Sequence, residues 1–130
     1  MKSSDVDVLD RARIAQLAAH LRSLPHADAP AQDAMGDYAK QTDCGTVCCI
    51  AGETVLVFGT ELERSRLTTG AHTWSSVQSV ACRLLGLPLD EGVTLFHSTE
   101  WSAKEKEAYC AARTLGEERE LMARKLEALL

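Results

Sequence analysis

The run Cys44-Gly45-Thr46-Val47-Cys48-Cys49-Ile50-Ala51-Gly52-Glu53-Thr54-Val55-Leu56-Val57-Phe58 decides how this chain folds, because reading it as helix or as strand separates an all-α protein from a mixed one. From Thr46 onward its only charge is Glu53, so there is no polar stripe, and a helix here has to be covered on nearly all sides. Periodicity does not separate a buried helix from a buried strand. Val55 to Phe58 favour a strand by propensity. The small residues Gly45, Cys48, Cys49, Ala51 and Gly52 suit a closely packed central helix, and helix from Thr46 to Phe58, ended by Gly59, is the expectation.

Upstream, Ile14, Leu17, Leu21 and Leu24 recur at helical spacing while Arg11, Arg13, Gln16 and Arg22 fall mainly elsewhere, predicting an amphipathic helix from Val6 to Leu24 stopped by Pro25. His26 to Pro30 is a polar break, and Ala31 to Lys40 predicts a short helix interrupted by Gly36. Downstream, Glu61 to Thr73 is polar and reads as a loop or short helical turn. After Trp74, the residues Val77, Val80, Ala81, Leu84 and Leu85 follow one helical face, and Gly86-Leu87-Pro88 supplies a left-handed cap and a stop. A shorter helix, Leu89 to His97, offers Val93, Leu95 and Phe96 to the core. Ser102 with Glu105 has the capping-box spacing before a helix through Arg113. Thr114 with Glu117 repeats it before a last helix to Leu130, lined by Leu115, Met122, Leu126 and Leu129. The sum is an all-α, compact single-domain bundle of five or six helices over residues 1–130.

The 130 residues are 45% hydrophobic with a net charge of −5, a size and balance suited to one core. The acidic balance disfavours nucleic-acid backbones and anionic membranes as partners, and no run reaches membrane-spanning length. Met1 to Asp10 carries one Lys, three Asp and no apolar core, unlike a secretory signal, so a cytoplasmic location with reduced thiols is expected for the five cysteines.

Four segments carry a resemblance to known proteins: Cys44-Gly45-Thr46, Cys49-Ile50-Ala51-Gly52, Leu84-Leu85-Gly86-Leu87, and Leu95-Phe96 with Trp101. Together they resemble a group of small, uncharacterised phage and bacterial proteins with a CGTxxCIAG signature, over about the middle half of the chain. The resemblance implies a small helical domain with Cys44, Gly45, Thr46, Cys49, Ala51 and Gly52 as a structural signature in its interior, and a phage or mobile-element source. It brings no established activity. Here Cys48 stands at a variable position, and Glu53 where the group often has an apolar or aromatic residue.

A zinc site needs four ligands. Cys44 and Cys48 form a permissible pair, to which Cys82, His72, His97 or Cys110 could add the rest, and the set Cys44, Cys48, His72 and Cys82 is the metal alternative. Cys44 or Cys49 near a helix N-terminus could be a nucleophile with His72 or His97 as base. Against both stands the frequency with which free cysteine is a buried small hydrophobe, and the candidates are scattered singly. His20, near the polar edge of the first helix, and His26, in a loop, read as solvent-facing. Trp74 and Trp101 read as core-edge anchors.

These readings favour a non-catalytic protein-interaction module without cofactor or bound metal. It would be a phage or mobile-element accessory protein that binds and inhibits a bacterial host or defence protein, a CRISPR effector among them. The competing class is a zinc- or thiol-dependent enzyme centred on the cysteines, and a DNA-binding helix-turn-helix conflicts with the acidic balance. The contact surface expected is the charged face of the terminal helices, with Glu117, Glu118 and Arg124. Leu129 and Leu130 leave room for a homodimer.

Overall fold

The computed structural model describes residues 9–36, 39–42, 45–69 and 74–130. It is all-α, as expected, with seven α-helices among the described residues rather than five or six: α1 (Arg11–Ser23), α2 (Ile50–Phe58), α3 (Glu61–Thr68), α4 (Trp74–Leu85), α5 (Leu89–Phe96), α6 (Ala103–Ala111) and α7 (Leu115–Glu127).

One small antiparallel hairpin interrupts the helices. β1 (Lys40–Thr42) pairs with β2 (Gly45–Val47) in the register Lys40 to Val47 and Thr42 to Gly45. This corrects two expectations. The helix does not begin at Thr46, because Thr46 and Val47 are β-branched and spend their backbone groups on β1. It begins at Ile50, after Cys49 in extended backbone (φ −72°, ψ 179°) takes the N-cap position. Nor do the described residues of 31–40 form the expected helix: they hold a 3₁₀ turn, Ala34–Gly36, and the start of β1.

The first helix also starts later than its apolar spacing predicts. Asp10 is the N-cap, its carboxylate accepting from the Arg13 amide at 3.0 Å, and its own amide donates to the Leu85 carbonyl at 2.9 Å. Residues 1–8, with the predicted start at Val6, lie outside the described residues. The stop at Pro25 holds: Leu24 is extended (ψ 145°), as a residue before proline should be.

Glu61 to Thr68 is a full helix. The sequence shows no apolar stripe there, but a complete capping box starts it. The Thr60 hydroxyl accepts from the Glu63 amide at 3.1 Å, and the Glu63 carboxylate accepts from the Thr60 amide at 2.9 Å. Leu67 pins its far end into the core.

α4 ends as read, with Gly86 at φ 72°. The same box starts α6 at Ser102 and Glu105. At α7 the device is modified: Thr114 accepts from the Glu117 amide at 3.1 Å, but Glu117 receives the Arg113 amide at 3.3 Å, one residue further out. α6 stops at Ala111 and α7 at Glu127, short of Arg113 and Leu130.

α1 packs against α7 and α2 against α4, while α5, α3 and α6 flank these pairs. The core joins Ile14, Leu17 and Leu21 of α1 to Ile50 and Ala51 of α2, Leu85 of α4, and Leu115, Met122 and Leu126 of α7. Trp101 anchors one edge, its indole donating to the Leu95 carbonyl at 3.1 Å and its ring meeting Tyr109 edge to face at 5.8 Å. The Trp74 side chain lies outside the described residues.

Candidate functional site

The signature is interior from Val47 to Gly52, the part of it whose burial is described. Val47 ends β2 at the open end of the hairpin, Cys48 and Cys49 bridge it to α2, and both thiols are 2% exposed. The Cys49 sulfur accepts from the Gly52 amide at 3.5 Å, so this cysteine caps the helix its neighbours form. Ala51 and Gly52 are buried in the first turn, and the Thr54 hydroxyl donates back to the Ile50 carbonyl at 2.7 Å. Gly45 and Thr46 lie in β2. Cys44 and His72 fall outside the described residues, so the zinc alternative keeps only Cys48 and Cys82 within them. Among the described residues no group of three or more His, Cys, Asp or Glu could hold a metal ion.

The Cys82 sulfur is packed against α5: a methyl group added at Gly92 would come within 2.2 Å of it. Burial pushes this thiol up from its ordinary range, which keeps it protonated and inert. His97 is engaged by the Gln78 side chain of α4.

A polar contact that the spacing did not announce lies beside the signature. Glu53 is 3% exposed and hydrogen-bonds through Oε1 to Nε2 of His20 on α1 at 3.1 Å. His20 is therefore half-buried and partnered, not simply solvent-facing; His26 is exposed, as expected. Burial raises the Glu53 carboxyl above the usual carboxylate range, while the His20 bond and the nearby Arg119 charge oppose that rise. A lone carboxylate in an apolar run had to find a partner. Which histidine or arginine would supply it is decided by the α1, α2 and α7 packing.

Of the residues expected on the contact face, Glu117 and Arg124 are exposed, but Glu118 is not. It is 2% exposed and accepts from the Gln32 amide at 2.8 Å, because its position turns it toward the segment that crosses the start of α7. The adjacent Arg119 is buried as well, donating to the Pro25 carbonyl at 2.7 Å.

Two depressions flank α7. Between α1 and α7 lies a cleft of about 390 Å³ lined by Leu24, Ala27, Asp28, Glu117, Arg119 and Glu120. Its upper wall is braced by Arg22, whose guanidinium makes paired bonds to Glu120 and Glu127 at 2.6 to 3.0 Å. These bonds hold the Glu120 and Glu127 carboxyls below their usual range. On the other side, two adjoining hollows of about 260 and 270 Å³ share Ala108, Leu121 and Arg124 and form a groove between α6 and α7.

Among the described residues no helix is long and apolar enough to cross a membrane. Comparison of the chain with protein-family models, with curated proteins and with solved structures gave no significant match.

Proposed function

We propose that the protein is a non-catalytic helical interaction module, an accessory protein of a phage or mobile element that acts in the bacterial cytoplasm by binding and inhibiting a host or defence protein such as a CRISPR effector. The observation that carries this reading is the α1–α7 cleft. Leu24 and Ala27 provide an apolar lining, Asp28 and Glu117 stand exposed at its rim, and the Arg22 brace holds the two walls together. Such a surface complements a segment with basic and apolar side chains, the kind that a nucleic-acid-handling protein presents. The CGTxxCIAG resemblance supports the phage or mobile-element source. A zinc- or thiol-dependent enzyme is the competing reading. It rests on Cys49 at the N-terminus of α2 and weighs less, because that sulfur is 2% exposed and used as a cap.

The test is capture from bacterial lysate with the intact chain and with Asp28→Lys/Glu117→Lys as bait, followed by mass spectrometry and binding measurements on the purified pair. A stoichiometric partner whose affinity falls roughly tenfold or more with the charge reversal is the expected result. No stoichiometric partner, or stoichiometric zinc in the purified protein, would overturn the reading.

A further inference from the structure

We infer that the groove between α6 and α7 is a self-association surface, occupied by the same groove of a second copy of this chain in an antiparallel, two-fold arrangement. Its floor is apolar and shallow: Ala108 and Ala111 are exposed, and Ala112 and Leu121 are half-buried. Small side chains let two helices approach closely, so the four residues suit another helical surface better than a bulky side chain in a pocket.

The charges along the groove choose the occupant. Glu117, Leu121 and Arg124 recur at helical spacing on the outer ridge of α7, with Glu120 before Leu121 and Lys125 after it. The end lined by Lys104, Arg124 and Lys125 also holds Glu105, which pairs with Lys125 at 2.8 Å, and is net basic. The end lined by Ala111 and Ala112 carries Glu117 and Glu120 against the shared Arg124 and is net acidic. A copy turned about a two-fold axis at Leu121 lays each acidic end on a basic end, with Glu117 of each copy opposite Arg124 of the other. A parallel copy would set like charges together. Self-complementarity of this kind is what a closed isologous interface requires. In the pair Glu120–Arg124 at 2.9 Å the Arg124 side chain is 69% exposed, so it can be shared across the interface. Glu117 and Glu120 line both this groove and the α1–α7 cleft, so Ala108→Arg and Arg124→Glu, at residues that line the groove alone, separate this inference from what that cleft binds.

Sedimentation equilibrium and light scattering on the full chain test it. The intact protein is expected to be a dimer with a dissociation constant below roughly 100 µM. Ala108→Arg, an exposed change, should give a monomer with an unaltered helical circular-dichroism spectrum. Glu117→Arg and Arg124→Glu should each weaken association roughly tenfold, and the double charge swap should restore it to within about threefold. A monomer at all concentrations, a dimer indifferent to Ala108→Arg, or a double swap no better than either single change would overturn the inference.

Discussion

Glu53 shows how one side chain can set a constraint that the rest of the fold has to satisfy. Its carboxyl is buried, and burial raises it above its ordinary value of 4.5. The folded chain then holds that proton more tightly than the unfolded chain, so the associated stabilisation is complete below 4.5 and is lost as pH rises through the raised folded value. Glu63, Glu105 and Glu120 are shifted downward by their partners and act in the opposite sense, so the observable is a difference between two chains. In urea titrations from about pH 4 to about pH 8, Glu53→Gln should gain on the native chain as pH rises, and a difference that stays flat would count against this account of Glu53. His20→Ala deprives the buried carboxyl of its bond and should cost about 1–3 kcal/mol, well beyond the few tenths of a surface change. Gly92 is a second such residue. Alanine in a helix ordinarily gains up to about 1 kcal/mol over glycine, but here its methyl group would lie 2.2 Å from the Cys82 sulfur. Gly92→Ala should therefore destabilise the protein by about 1–3 kcal/mol, and Cys82→Ala in the same chain should return most of that loss, both measured by denaturant unfolding.

At the scale of elements, α3 depends on its end more than on an apolar face. α3 buries only Leu67 along its length, so its capping box carries a larger share of its stability than in α4, which places five of its described side chains in the core. Thr60→Ala should cost about 1 kcal/mol and speed hydrogen exchange across Glu61–Thr68 while leaving α4 protected. The same reasoning explains which elements were legible. α4, α5 and the Ser102 box of α6 were visible because an apolar face or a cap pair lies within a few residues of sequence. α3 was missed because its polar composition hid a cap pair of the same kind. The hairpin was missed because β2 depends on β1, whose pairing with it is not a periodic signal of either segment.

For the whole molecule, burial sorts the thiols. Cys48, Cys49 and Cys82 are buried and Cys110 is exposed. In a Cys44→Ser chain, a thiol reagent should modify one cysteine quickly under native conditions and the other three only on unfolding. Fast native labelling at Cys48 or Cys49 would reopen the thiol chemistry that their burial argues against. The Arg22 network with Glu120 and Glu127 joins the ends of α1 and α7 but is exposed, so Arg22→Ala should lower stability by no more than about 1 kcal/mol, and by less in high salt. Its larger effect is expected on the shape of the α1–α7 cleft and therefore on partner binding.

Read alone, the sequence determined that this protein is helical, where α4 and α5 lie, how α4 and α6 begin or end, and that an isolated charge sits in an apolar run. Those are properties of neighbouring residues, and backbone propensity, caps and i, i+4 spacing express them directly. Tertiary structure decided that Thr46 and Val47 pair with β1, that Glu53 meets His20, that Glu118 faces inward beside Gln32, and that α7 is flanked by a cleft on one side and a groove on the other. Each of these joins residues distant in sequence, and only the packing of α1, α2, α6 and α7 brings them within a few ångströms of one another.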